Sequence, residues 1–255
     1  MLIYEAKKQV EDWLQKRFED GQHDKGSYYP SQMGNDCLRF LYYYFNNYES
    51  DVPMPVRINR IFDNGTDYHN RMRKYFKESG ILLKKVRRFK DKKHNIHGEI
   101  DEYIKLGNTD ILVELKSINT KQFTVFLKEP QKKHLYQIQI YLHYKKMKWG
   151  MVWYENKDNQ EWKIFLVKYD KKYVEEVWKK IDILKKCGNI IPNKGFTYSD
   201  WNCGYCNYKF TCWGTDIWKT YYAALIKNCK SKVRRKKIEY LLKGVYDYEK
   251  ENNNE

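Results

Sequence analysis

The sequence predicts a mixed α/β fold, a mixed sheet flanked by helices, with further helices at both ends. Three observations predict it. Between residues 56 and 168 a helix-period stretch, three strand-like stretches, a second helix and further strands follow one another. Gly107-Asn108 sits between two apolar, β-prone runs and reads as a hairpin turn. Both ends carry helical periodicity rather than alternation.

Residues 1–18 form a plausible amphipathic helix, followed by a polar loop at 19–26. Tyr28-Tyr-Pro-Ser-Gln-Met-Gly-Asn-Asp-Cys37 leads into an aromatic-rich helix at 37–48, which Pro53 and Pro55 break. In a helix over 56–79, Ile58, Phe62, Gly65, His69, Met72 and Phe76 recur at steps of three and four, so one face is buried, and Gly80 closes it. Strands are expected at 81–90, 95–106 and 110–117, then a helix at 131–148. Strands at 150–155 and 161–168 flank the turn Asn156-Lys-Asp-Asn, and residues 169–186 are helical. A cysteine-rich segment (203–212), a basic helical tail and a frayed Glu-Asn-Asn-Asn-Glu end the chain. The expected division is an N-terminal helical segment (1–55), a core (56–190) and a cysteine-and-tail segment (191–255), packed as one unit.

A hydrophobic content of 42% with 17% aromatics supplies a real core and excludes wholesale disorder. The formal charge of +16 points to a polyanionic partner, nucleic acid first. An AT-rich genome would also write a chain rich in Lys, Tyr, Asn and Ile, so the charge is permissive evidence. No apolar run approaches the ~20 residues of a membrane helix, and the N-terminus lacks a signal peptide's apolar stretch. The expected location is cytoplasmic, without a membrane partner, and the six cysteines are expected to be reduced or metal-bound.

The hairpin carries the chemistry. With Gly107-Asn108 as a two-residue loop, Asp101 falls opposite Glu114 and Glu99 opposite Lys116. Alternation then puts all four on one face, with Ile100, Ile104, Val113 and Leu115 on the other. Directly opposed carboxylates repel unless a cation sits between them, and oxygen ligands favour Mg²⁺ or Mn²⁺. Lys116 would orient or deprotonate a metal-bound water or stabilise phosphate charge. The competing reading is a solvated sheet face with a Glu99–Lys116 ion pair worth under about 1 kcal/mol. His69 lies on its helix's apolar face, as a core residue or a third ligand, and Gly65 would let that helix approach the sheet. Gln137 and Tyr141 share one face of their helix.

Gly65-x-x-x-His69, Gly98-Glu-Ile-Asp101, Glu114-Leu-Lys116 and Gln137-x-x-x-Tyr141, in that order, resemble the motif series of RecB-type nucleases in the PD-(D/E)XK superfamily. The resemblance spans roughly residues 28–212 and implies an αβββαβ nuclease core. It also implies a metal held by His69, Asp101, Glu114 and the Leu115 backbone carbonyl, with Lys116 catalytic. Gln137 and Tyr141 would lie near the scissile strand.

Cys203-x-x-Cys206-x₅-Cys212 is a compact thiol cluster among polar neighbours. With a fourth ligand from Cys37, Cys187 or Cys229 it suits Zn²⁺ or an iron–sulfur cluster. Tyr29-Pro-Ser-Gln-Met-Gly-Asn-Asp-Cys37-Leu-Arg-Phe-Leu-Tyr-Tyr resembles the N-terminal cysteine segment of CRISPR-associated Cas-four nucleases and AddB-type helicase–nuclease subunits. That resemblance implies a [4Fe–4S] cluster on Cys37, Cys203, Cys206 and Cys212, joining the two helical ends, with zinc as the alternative.

Phosphate contacts are expected from Arg71, Arg73, Lys74 and Lys77, from Lys84, Lys85, Arg87, Arg88 and Lys90, and from the basic run 230–237. Stacking is expected from Tyr42, Tyr43, Tyr44 and Trp213. The expected activity is metal-dependent hydrolysis of DNA, as an exonuclease on single strands or ends, with any helicase a separate DNA-processing partner. The alternative is an inactive DNA-binding module that keeps the nuclease fold and cluster as scaffold.

Overall fold

The computed structural model describes residues 2–19, 27–51 and 55–252. Of the loop expected at 19–26, Glu19 belongs to the first helix, and residues 20–26, Pro53 and the last three residues of the tail lie outside the described residues. In chain order the elements are α1 (Leu2–Glu19), α2 (Pro30–Met33), α3 (Leu38–Phe45), α4 (Val56–Glu78), β1 (Arg88–Asp91), β2 (Ile96–Glu99), β3 (Glu102–Leu106) and β4 (Thr109–Ile118). A π-helical turn (Gln122–Phe126), α5 (Lys132–Lys145), β5 (Trp149–Asn156), β6 (Trp162–Lys168) and α6 (Lys171–Cys187) follow, then α7 (Trp201–Gly204), α8 (Lys209–Trp213), α9 (Thr215–Lys227) and α10 (Lys232–Asn252). The chain forms two compact units, Met1–Asn35 with Pro55–Lys186, and Asp36–Met54 with Cys187–Glu255. Among the described residues no helix is long and apolar enough to cross a membrane.

The first unit is a mixed α/β layer structure. Its four-stranded sheet runs β3-β4-β5-β6, antiparallel except for the parallel β4–β5 pair. A parallel pair needs a crossover, and α5 provides it. On one face Tyr68, Met72 and Phe76 of α4 pack on Ile104, Ile111, Val113, Leu115 and Met151. On the other, Ile138, Tyr141 and Leu142 of α5 pack on Ile100, Tyr103, Leu112, Val152 and Tyr154. Covered on both faces, β4 is buried without interruption from Ile111 to Leu115. That burial is what makes its polar residues consequential.

Two expected strands are broken. Residues 81–83 run beside β3, with Leu83 N–H donating to the Tyr103 carbonyl at 2.8 Å, and only Arg88–Asp91 forms a strand proper. The run 95–106 splits at Ile100–Asp101. Its first half pairs with β1 in a separate two-stranded ladder and its second half pairs with β4. Gly98 shows how closely the first half is packed. A Cβ there would lie 3.1 Å from each of Phe89, Pro30 and Tyr141, so the ladder is packed tightly against α2 and α5. The break also moves Ile100 to the α5 side, opposite the face expected for it with Ile104.

Helix α4 differs from its expected stripe in its first half. Ile61 and Phe62 are exposed, while Asn59 turns to α1 and donates to the Leu14 carbonyl at 3.3 Å. Arg17 and Asp63 join the same two helices at 2.6 Å. Gly65 has nothing within 4 Å of where a Cβ would stand, so it does not serve close approach to the sheet. Gly80, at φ 77°, does end the helix.

In the second unit Phe210, Trp218, Tyr222, Ile238 and Val245 form a small core. Asp51 fastens the segment after α3 to α8, accepting from Phe210 N–H at 2.5 Å and from the Thr211 hydroxyl at 2.5 Å.

Candidate active site

The β3–β4 ladder runs from Leu106↔Thr109 to Glu102↔Val113, the register of a two-residue loop, and Gly107 takes the positive φ of 57° at its start. Asp101 stands just beyond the last rung. Because the chain leaves the sheet there, Leu115 has no strand partner on that edge, and its buried peptide groups find side chains instead. Its N–H donates to Asp101 Oδ2 at 2.7 Å, and its carbonyl faces His69 Nε2 at 3.2 Å. His69 Nδ1 lies 3.4 Å from Asp101 Oδ1. The imidazole is thus set between two acceptors, and a neutral ring donates to only one of them. His69 is also half-exposed rather than buried in the core.

Glu114 is fully buried on the α5 side, 2.5 Å from the Lys116 ammonium. Beyond Lys116, neither Glu114 oxygen has a hydrogen-bond partner among the described residues. Burial, then the Asp101 charge, pushes the Glu114 carboxyl up, against the pull of Lys116. Burial alone would lower Lys116, but the Glu114 and Asp101 charges outweigh it and hold the ammonium above its ordinary value. The expected Glu99–Lys116 pair does not form. Glu99 pairs with Arg88 across the β1–β2 ladder, and its carboxylate takes Arg88 Nε at 2.9 Å and the Arg87 guanidinium.

Gln137 and Tyr141 are buried on α5, where Gln137 Nε2 donates to the Tyr141 hydroxyl at 3.1 Å. Burial first, then the Glu114 and Asp101 charges, drives the Tyr141 hydroxyl well up, which places this ring within electrostatic reach of both carboxylates.

Sequence reading passed over two groups here. Glu102 is buried and holds Arg73 at 2.5 Å and Arg87 at 3.3 Å; with Thr66, His69, Asn70 and Asp101 they line a pocket of about 170 Å³. Beside Lys116, the Tyr154 hydroxyl accepts from Gln131 N–H at 3.0 Å and meets His134 Nδ1 at 2.8 Å. The His134 tautomer sets which of the two donates in that contact. Burial, then the Lys116 and Lys133 charges, pushes His134 down to about 2. The unfolded chain binds this proton from about pH 6.5 downward and the folded protein does not, so stability falls as pH drops below 6.5. The expected loss is up to about 1.4 kcal/mol per pH unit. Urea melts between pH 7.5 and 5 should show a shallower acid slope in His134→Gln, and equal slopes would reject this account.

Several residues expected to meet DNA are otherwise engaged. Arg71 is paired with Glu155, Arg73 with Glu102, Arg87 with Glu99 and Glu102, and Lys85 with Asp110. Tyr42 and Tyr43 are buried, and Trp213 lies under the Lys194 ammonium at 3.7 Å. The run 230–237 is exposed throughout.

In the second unit Cys37 caps α3, its sulfur accepting from Phe40 N–H at 3.4 Å. A Cβ on Gly195 would lie 3.3 Å from that sulfur. Burial, then hydrogen-bond and charge effects that include Cys37, Cys203 and Cys212, leaves the Cys206 thiol at about 12. Cys203 and Cys212 are likewise raised, burial first, and each senses Cys37. The four thiols therefore share one neighbourhood, while Cys229 turns to the Ser231 carbonyl at 3.5 Å. Among the described residues no group of three or more His, Cys, Asp or Glu side chains is gathered to hold a metal ion.

No family model and no curated protein matches this chain. Among solved structures, SSO0001 is similar in fold, with a TM-score of 0.52 and 17% identity over 83% of this chain and 96% of that one. An alkaline exonuclease, LHK-Exo from Laribacter hongkongensis, aligns at a TM-score of 0.44 and 15% identity, over 63% of this chain and 87% of that one. LHK-Exo in complex with dAMP aligns at 0.46 and 16%, over 69% and 91%. What the chain shares with SSO0001 is a fold.

Proposed function

We propose that this chain is a metal-dependent DNA nuclease of the PD-(D/E)XK kind, RecB-type, acting as an exonuclease on single strands or DNA ends. One observation carries the reading. A fully buried carboxylate, Glu114, lies close to a second carboxylate, Asp101, at a sheet edge, with the Lys116 ammonium 2.5 Å from it. Two neighbouring carboxylates against one ammonium leave buried negative charge, and a cation is the natural relief.

Asp101, Glu114, His69 and the Leu115 carbonyl are the donors that would hold Mg²⁺ or Mn²⁺; hard oxygen ligands with one imidazole suit these ions. When bound, the ion supplies Lewis acidity to a phosphodiester and a more acidic water. The chain's own groups divide the remaining work. Asp101 is held by Leu115 N–H, which keeps one carboxylate oxygen in the sheet plane and the other toward His69. Lys116, held charged by Glu114 and Asp101, would orient the attacking water or offset charge on the phosphate. Gln137 fixes the Tyr141 hydroxyl beside the reacting strand. The four thiols would hold a [4Fe–4S] cluster, with Zn²⁺ as the alternative, and any helicase would be a separate partner.

The test is end-labelled single-stranded and duplex DNA incubated with Mg²⁺, Mn²⁺ or EDTA, each end labelled in turn. Metal-dependent shortening from an end is expected. Binding without cleavage under either metal would reject the enzyme in favour of a DNA-binding scaffold.

A further inference from the structure

Outside the catalytic edge, the first unit carries a groove of about 750 Å³ lined by Tyr29, Arg88, Phe89, Lys90, His97, Gly98 and Glu99. Its volume is that of a small-ligand site, in the range of roughly 300–1,000 Å³. Three of its walls are aromatic rings, and all three are only half-buried. Tyr29 and His97 meet edge to face at 4.6 Å, while Phe89 is stacked on Tyr144 at 4.6 Å. These rings are therefore held in place from behind. Lys90 stands at the same groove, where Arg88 is paired with Glu99 at 2.9 Å.

His97 adds an independent observation. Its Nδ1 is buried without a hydrogen-bond partner among the described residues. The groove also lies near the site described above. Gly98 lies in its floor, and a Cβ there would touch Tyr141, the ring that senses Glu114 and Asp101. Glu99 precedes Asp101 by two residues.

We infer that this groove seats an unpaired base of a single-stranded DNA segment, stacked among Tyr29, Phe89 and His97, with Lys90 at a flanking phosphate. The inference rests on the nuclease reading for the identity of the strand. Aromatic platforms with nearby cations bind single strands without reading sequence, because every base presents a π face. A duplex cannot present a base this way without unstacking it. The groove thus gives the chain a preference for frayed or single-stranded ends, independent of metal.

The experiment is equilibrium binding in EDTA of a short oligodeoxythymidylate carrying one 2-aminopurine, against the same strand in a blunt duplex. Stacking is expected to quench the probe in the single strand and not in the duplex. Tyr29→Leu with His97→Leu keeps apolar volume and removes two rings. It is expected to weaken binding by about ten-fold or more and abolish the quenching. Lys90→Ala leaves the rings in place and is expected to weaken binding while keeping the quenching. Circular dichroism melts check that each variant folds; should the double variant not fold, Tyr29→Leu alone carries the same readout. Wild-type quenching in a folded ring variant, or equal binding of blunt duplex, overturns the groove. Quenching that depends on the rings in a protein that cleaves nothing would uphold the groove and reject the nuclease.

Discussion

Lys116→Ala lowers single-turnover DNA cleavage by about 10²–10⁴-fold, the range lost when a positioned proton-transfer or charge-stabilising group is removed. The same substitution has a second, physically linked effect. Glu114 is fully buried, and Lys116 is the nearest positive charge to it. Removing one partner of a buried pair costs about 3–5 kcal/mol, because the other charge stays behind. The metal-free variant should therefore melt well below the parent. If a divalent ion occupies the same carboxylates, it replaces the missing charge, so Mg²⁺ or Mn²⁺ should raise the variant's Tm more than the parent's. Cleavage and melting are to be measured side by side, with DNA binding as the control for folding. Full cleavage by a folded Lys116→Ala protein would sink the assignment of Lys116. A variant whose Tm ignores divalent ions would sink the assignment of Glu114 as a ligand.

If the four thiols hold iron or zinc as proposed, replacing any one of Cys37, Cys203, Cys206 or Cys212 by alanine should strip the purified protein of that metal and lower its Tm by about 6–20 °C. The range follows from about 3–5 kcal/mol for losing a cross-link that closes a very long loop, at about 2–4 °C per kcal/mol in a chain this size. Cys37 is separated in sequence from the other three by most of the chain, yet it shares their neighbourhood. A bound metal would fasten the segment after residue 36 to the C-terminal triplet. Cys229→Ala, which leaves a thiol turned to the Ser231 carbonyl, should leave metal content and Tm alone. Elemental analysis of protein purified without oxygen reads the result directly. Iron with acid-labile sulfide means a cluster, and zinc alone means a zinc knot. Protein free of both metals, with cysteine variants that melt like the parent, would leave the thiols as packing residues.

Local chemistry was legible in the sequence because it acts over a few residues. The two-residue turn at Gly107-Asn108 set a register that runs unbroken to Glu102↔Val113, and a pleat of period two then put Glu114 and Lys116 on one face of β4. Glycine at position 80 ended α4, and the apolar steps at Met72 and Phe76 found the sheet. What only the tertiary structure decided was where that regularity stops. Alternation continues in the sequence straight through Ile100–Asp101, but the chain leaves the sheet there, beside a ladder packed so closely that a Cβ on Gly98 would lie 3.1 Å from each of Phe89, Pro30 and Tyr141. That break sends Ile100 to the α5 face and Glu99 to Arg87 and Arg88. It also leaves Leu115 without a strand neighbour on the β3 edge, so that Asp101 and His69 close on its peptide groups. Charge was misleading for the same reason. A count of lysines and arginines cannot say which are already paired, and Arg71, Arg73 and Arg87 are held by Glu155 and Glu102, buried carboxylates brought close only by folding.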